Sequence, residues 1–124
     1  MTVTDPRKQT GARGEAFAAD YLAGYGYRIL DRNWRRAGGE IDLIAVIGDT
    51  LVFIEVRTRT SRAYGSAEES VDARKQRQVR KVAALYLVEA GRLPFRRFRF
   101  DVIAVQLDRR TGELQTLRHL EDAF

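Results

Sequence analysis

Apolar residues along this chain follow two different periods. In TGARGEAFAADYLAGYG, residues 10 to 26, alanines, Phe17, Tyr21 and Leu22 recur three and four positions apart, the spacing of a helix face. Thr10 can cap that helix and Gly24 and Gly26 can stop it, which predicts a first helix over roughly Ala12 to Ala23. Residues 1–10 read as a mobile tail ahead of it. The period then shortens to two, and Tyr27 to Trp34, Glu40 to Ile47 and Thr50 to Thr58 read as three strands. Gly38-Gly39 separates the first two, and a tight Gly48-Asp49 turn makes the second and third antiparallel. Helical spacing returns at Val79, Val82, Ala83, Tyr86, Leu87 and Ala90, within a second helix expected from about Ser70 to Ala90 and closed by Gly91. Pro94 ends the turn, and FRFDVIAVQLD, Phe98 to Asp108, reads as a fourth strand. A strand, a long helix and another strand imply a right-handed crossover, so strands three and four should pair in parallel. The last residues, RRTGELQTLRHLEDAF, hold a Thr-Gly turn and either a short fifth strand or a final helical turn. The predicted architecture is one α/β domain, residues 11–124, in the order α-β-β-β-α-β on a mixed sheet.

Three carboxylates interrupt the apolar hairpin, at Glu40, Asp42 and Glu55. Strand alternation puts Glu40 and Asp42 on one face of strand two with Ile44 and Val46, and puts Leu51, Phe53, Glu55, Arg57 and Arg59 on one face of strand three. Counting outward from the turn brings Asp42 beside Glu55 and Arg57, so the acids converge on one corner of the sheet. Carboxylates gathered there repel one another unless a cation or a paired base offsets them. Two carboxylates, a carbonyl and several waters suit Mg²⁺ or Mn²⁺, which can polarise a phosphodiester and acidify an attacking water. Glu15 lies on the inward stripe of the first helix, and Lys75 extends the stripe of the second, so both can be drawn to the same corner. The plainer reading pairs Glu40 with Arg57 and Asp42 with Arg59 across the strands, and leaves Glu15 beside a helix N-terminus.

Composition changes this picture in two respects. The chain of 124 residues has 44% hydrophobic and 31% charged residues, enough for one cored domain, and no cysteine, which rules out disulfides, thiolate metal sites and a cysteine nucleophile. Its polar opening has no signal-peptide core and no stretch is long enough for a membrane span, so a cytoplasmic location is expected. The net charge of +5 is concentrated between Arg57 and Arg99, where twelve basic residues face four acids, an excess of +8. Arg59, Arg62, Arg74, Arg77, Arg80, Arg96 and Arg97 can make a phosphate track for a nucleic-acid partner. Trp34 and Tyr64 can stack on bases, but core or loop packing is the first expectation for each. His119, the single histidine, has no partner evident in the sequence, and Asp101 reads as structural, paired with a nearby arginine.

Asp42 followed by Glu55-Val56-Arg57 resembles the acid and acid-x-lysine pattern of small nucleases. Together with Arg13-Gly14-Glu15, Gly39-Glu40-Ile41-Asp42-Leu43-Ile44-Ala45, Lys75 and Arg99-Phe100-Asp101-Val102 it is similar to the YraN-like family of bacterial proteins, over nearly the whole chain. The resemblance implies a restriction-endonuclease-like fold related to PD-(D/E)xK nucleases and archaeal Holliday junction resolvases. It implies an Mg-dependent (or Mn-dependent) endonuclease-like protein acting on DNA, including branched or recombination intermediates, and leaves a homodimer open. Carried over by position, Asp42 and Glu55 are the catalytic metal ligands, with Glu15 of the first helix joining the metal set as the outer acid and Glu40 as an accessory one. The motif lysine falls on Arg57, which stays protonated and can only steer phosphate or stabilise charge. Lys75 is then the candidate to supply an ammonium. The alternative is a catalytically weak or inactive nucleic-acid-binding protein that keeps the nuclease fold.

Overall fold

The computed structural model describes residues 5–60, 71–90 and 95–124. Arg62, Tyr64, Ser70, Gly91 and Pro94, which carried expectations above, lie outside the described residues. The element order is α1 (Pro6–Gly24), β1 (Arg28–Arg36), β2 (Gly39–Ile47), β3 (Thr50–Arg59), α2 (Ala73–Glu89), β4 (Arg97–Leu107) and β5 (Leu114–Leu120). The strands form one mixed sheet in the order β1-β2-β3-β4-β5, in which β3 and β4 are parallel and the other neighbours antiparallel. This is the expected α-β-β-β-α-β core, with the last segment resolved as a strand rather than a helical turn.

α1 starts earlier than apolar spacing predicts. The Asp5 carboxylate accepts from the Arg7 N–H at 2.9 Å and Pro6 takes the first helical position, so a capped start exists without any apolar residue. Residues 6–10 are therefore helical rather than tail, and Thr10, expected as the cap, instead donates its hydroxyl to the Pro6 carbonyl at 2.9 Å. α2 starts where the Asp72 carboxylate accepts the Lys75 N–H at 2.9 Å. That cap also fixes the backbone of the residue whose side chain reaches the acidic corner.

The helices cover opposite faces of the sheet. On one face Ala18, Ala19 and Leu22 of α1 pack with Leu43, Val52, Ile54, Val56 and Ile103. On the other, Val79, Val82, Ala83 and Tyr86 of α2 pack with Ile41, Ile44, Leu51 and Phe53. Each large side chain so buried contributes roughly 1.5–3 kcal/mol, so both faces matter to the fold. Two glycines set how closely the helices approach. A Cβ at Gly14 would overlap the Thr58 side chain, and one at Gly39 would come within 2.5 Å of Val82 Cγ2.

At one end the sheet forks. The β2–β3 ladder runs from Ile47 opposite Thr50 to Leu43 opposite Ile54 and stops. Beyond it, Ile41, Glu40 and Gly39 stay paired with β1, while Glu55 to Arg59 stay paired with β4. Strand alternation breaks at the same point. Leu43 faces α1, yet Ile41, two residues away, faces α2 together with Ile44. The expected common face for Glu40, Asp42, Ile44 and Val46 is thereby corrected: regular alternation holds only where both ladders continue, and Asp42 occupies the break.

Candidate active site

The side chains of Asp42 and Glu55 close the fork. The Val56 N–H donates to Asp42 Oδ2 at 2.8 Å, and the Asp42 N–H donates to Glu55 Oε2 at 3.3 Å. Each carboxylate thus takes a backbone donor from the opposite strand just where the backbone ladder has ended, which answers the requirement that buried N–H groups find a partner. Counting from the turn set Asp42 beside Glu55 and Arg57, and the structure brings Asp42 to Glu55 and Val56 just past the end of the ladder.

Glu55 is almost completely buried, at 1% exposure. Burial pushes its carboxyl above the ordinary range, against the opposing pull of Lys75 and Arg57. Lys75 Nζ, on the first turn of α2, lies 3.4 Å from Glu55 Oε1. The stripe of the second helix therefore does deliver this ammonium to the corner. Asp42 is pushed up to about 8, first by burial and then by the charge of Glu55, with further contributions from Glu15 and Glu40. A carboxyl held that far from its usual value, first by lost hydration and then by neighbouring acids, is the kind of perturbed group that clusters at functional sites.

Glu15 and Glu40 meet at the rim of this pair through a residue that the sequence reading missed. Asn33 Nδ2 donates to Glu15 Oε2 at 3.1 Å and to Glu40 Oε1 at 2.8 Å. Glu40 also pairs with Arg35 Nε at 3.3 Å rather than with Arg57. Asn33 carried one signal, an asparagine within an otherwise strand-like run, where its type is disfavoured. The plain cross-strand pairings do not form: Arg57 and Arg59 each keep a buried Nε with no hydrogen-bond partner among the described residues. Arg57, Asp72, Arg74, Lys75 and Gln78 line a cleft of about 280 Å³ beside Glu55. A second cleft of about 580 Å³, lined by Arg35, Arg36, Gly38, Gly39, Glu40, Lys75 and Gln78, shares two of those residues. The two adjoin across Lys75 and Gln78.

The expected phosphate track is only partly assembled. Arg74 lines the cleft by the corner, Arg59 lies at the forked end of β3, four residues beyond Glu55, and Arg77 is exposed on α2. Arg80 is instead stacked over Phe100, 4.7 Å from its ring centroid, and faces Phe124 as well. Arg97 opposes Thr50 at the start of β3, so Arg96 and Arg97 sit at the other end of the sheet, about 17 Å from the level of Glu55 at ~3.3 Å per residue. The physical reason is the parallel crossover, which starts β4 at the closed end of the sheet while the acids occupy the forked end. Trp34 packs edge-on against Tyr86, with the Arg36 guanidinium 4.4 Å over its ring, in keeping with core packing.

Asp101 proves to be structural, as its sequence position suggested. Arg99 donates to it twice at 2.9 Å, and the Asp122 N–H donates at 2.9 Å. His119, expected to lack a partner, has two: Nε2 is 2.7 Å from Asp101 and Nδ1 is 3.1 Å from the Tyr21 hydroxyl. No sequence spacing signals this, because β5 approaches β4 only through the folded ladder.

Donor chemistry at the fork fits a small divalent cation. Glu55 supplies a buried carboxylate and Asp42 a half-buried one beside it, and Mg²⁺ is typically held by one or two carboxylates while keeping several waters. Among the described residues no three acids converge on one point, so Glu15 and Glu40 stand as outer charges, with Asn33 between them, rather than as preformed ligands.

Comparison with known proteins places these features in a family. The model of the uncharacterised protein family UPF0102 matches residues 14–105, which include Glu15, Asn33, Asp42, Glu55 and Lys75. A UPF0102 protein of Moorella thermoacetica is 54% identical over 109 residues, 88% of each chain. One from Pelotomaculum thermopropionicum is 48% identical over 122 residues, covering 98% of this chain and all of that one. A third, from Rhodococcus jostii, is 47% identical over 114 residues, 92% of this chain and 94% of its own. With a family model spanning the fork and relatives of matching length, the chain belongs to family UPF0102, the YraN-like family its motifs resemble.

Proposed function

We propose that this protein is an Mg²⁺-dependent (or Mn²⁺-dependent) endonuclease-like phosphodiester hydrolase acting on DNA. The observation that carries this reading is the Asp42–Glu55 pair at the fork, two carboxyls withdrawn from water, each raised above its ordinary range and set beside a basic cleft. Asp42 and Glu55 would hold the cation, with Glu15 and Glu40 adding negative potential. When bound, the cation neutralises charge on the phosphate and acidifies the attacking water. Arg57 lines the cleft beside Glu55 and contacts the phosphate there. It cannot accept a proton, because a guanidinium stays charged. Lys75 is held by Glu55 and lines both clefts, so its ammonium meets the phosphate from the helix side. Arg59, Arg74 and Arg77 extend the contact along the backbone of the substrate.

A second reading, nucleic-acid binding without cleavage, is favoured by one observation: arginine stands at position 57, where the nuclease pattern has lysine. Both readings meet in one comparison, metal-dependent cleavage of duplex, branched and single-stranded DNA by wild type, Asp42→Ala and Arg57→Lys. The enzyme reading expects slow cleavage by wild type, a loss of at least ~100-fold in Asp42→Ala, and faster turnover in Arg57→Lys. Silence from the wild type with activity in Arg57→Lys selects the binding protein. Binding itself should be salt-sensitive, and Arg74→Gln should lower the slope of log affinity against log salt by about 1. Absence of binding at low salt removes both readings.

A further inference from the structure

Asn33 has no role in the reading above, yet its placement is unusual in three ways. It lies opposite Asp42 across β1 and β2, since the flanking pairs are Arg32 with Leu43 and Trp34 with Ile41. Its φ is +50°, a left-handed conformation that asparagine adopts more readily than most residues with a side chain. Both hydrogens of its amide are committed to carboxylates, one on α1 and one on β2.

Charge explains what that amide does. Glu15 and Glu40 both lie close enough to Asp42 to oppose its ionisation. Left to themselves, acids so placed separate into water, because each gains solvation and loses repulsion. A cationic partner would hold them but would also cancel the potential they supply. A neutral amide holds them and cancels little. Among the described residues, Asn33 is the only group hydrogen-bonded to Glu15, while Glu40 has in addition the exposed Arg35.

We propose that Asn33 is a positioning residue: its amide ties Glu15 of α1 to Glu40 of β2 so that both carboxylates face the Asp42–Glu55 pair, which tightens the hold of that pair on a divalent cation. The proposal rests on the metal-site reading and adds to it a residue that touches neither the cation nor the substrate. Groups that orient ligands in this way are commonly worth 10–100-fold in metal affinity.

The test is Mn²⁺ affinity, measured by calorimetry or by electron paramagnetic resonance, alongside thermal melting. Four proteins are compared: wild type, Asn33→Gly, the pair Glu15→Gln with Glu40→Gln, and all three substitutions together. Glycine suits the left-handed backbone, so Asn33→Gly should melt within a few degrees of wild type while binding Mn²⁺ about tenfold more weakly. In the background lacking both carboxylates, the same substitution should change Mn²⁺ affinity little, because the groups it positions are gone. A purely structural role would instead lower melting and weaken Mn²⁺ equally in both backgrounds, which overturns the proposal. Unchanged Mn²⁺ affinity in the Glu15→Gln, Glu40→Gln protein overturns it as well, and does so without altering position 33. If wild type takes up no Mn²⁺, the metal-site reading fails and this inference with it. If wild type binds and Asn33→Gly binds equally, only the role of Asn33 is lost.

Discussion

At the scale of one residue, Asp42 is held against its own ionisation. Burial and three neighbouring acids push its carboxyl to about 8, while a single backbone N–H, from Val56, pulls the other way. Such a residue costs stability whenever it is charged, and its neutral isostere should not. Asp42→Asn keeps an oxygen to accept from Val56 and removes the repulsion, so a gain of roughly 1 kcal/mol is expected, seen as a rise in melting temperature at pH 8 without metal. The same substitution should abolish metal-dependent cleavage. A lowered melting temperature would mean that the charge is compensated in the fold and that the functional reading of this tension is mistaken. Lys75 shows the complementary case, a solvated-looking helix residue whose worth comes from where α2 begins. A lysine on a helix is ordinarily a surface residue, and helical spacing can only point Lys75 toward the corner; the packing of α2 over β2 brings its Nζ to Glu55.

At the scale of elements, the site depends on how two helices are set onto the sheet. Gly14 buries its backbone against Thr58, which brings α1 close enough for Glu15 to reach the rim of the fork. In an isolated helix, Gly→Ala gains up to about 1 kcal/mol, but overlap with a packed neighbour costs about 1–3 kcal/mol. Overlap should win, so Gly14→Ala should lower the melting temperature. In a Thr58→Gly background the obstructing side chain is absent, and the sign should reverse toward neutral or stabilising. Destabilisation of equal size in both backgrounds would show that the close approach is not what Gly14 provides. These elements also show what is legible from sequence. Strand and helix order, the parallel β3–β4 pair and the Asp42–Glu55 register follow from apolar period and turn chemistry, which act locally. The break in alternation at Asp42, the Asn33 bridge and the Asp101–His119 contact do not, because each arises where separate elements meet. The start of α1 was missed for another reason: a cap and a proline sufficed where no apolar stripe existed.

At the scale of the whole molecule, a buried acid, Asp101, and a half-buried one at a separate place, Asp42, pull stability in opposite directions with pH. Burial alone would raise Asp101, but hydrogen bonds from His119, Arg99 and the Asp122 N–H outweigh it and hold its carboxyl below the usual range. A carboxyl lowered on folding lends stability that is present above its unfolded value and lost as pH falls through the folded one. Asp42 works the other way, since its folded value stands above the ordinary 3.8. Its protonated form is favoured by folding, and that stability drains away as pH rises from about 4 toward 8. Melting temperature in EDTA should therefore peak in mild acid, drop below about pH 4 as Asp101 protonates, and decline by on the order of 5 °C between pH 5 and 8.5. Asp42→Asn should flatten the alkaline limb and leave the acid limb in place, while Asp101→Asn should do the reverse at lower overall stability. Millimolar Mg²⁺ should restore much of the loss at pH 8.5, because a cation binds the ionised carboxylates and so draws the equilibrium toward the folded state. Glu55, the other raised carboxyl of the fork, adds to the same limb, so an alkaline limb that survives both Asp42→Asn and Glu55→Gln would place its origin elsewhere in the molecule. One that Mg²⁺ leaves untouched would separate the charge at the fork from metal binding and favour a protein that uses this fold to hold nucleic acid without cutting it.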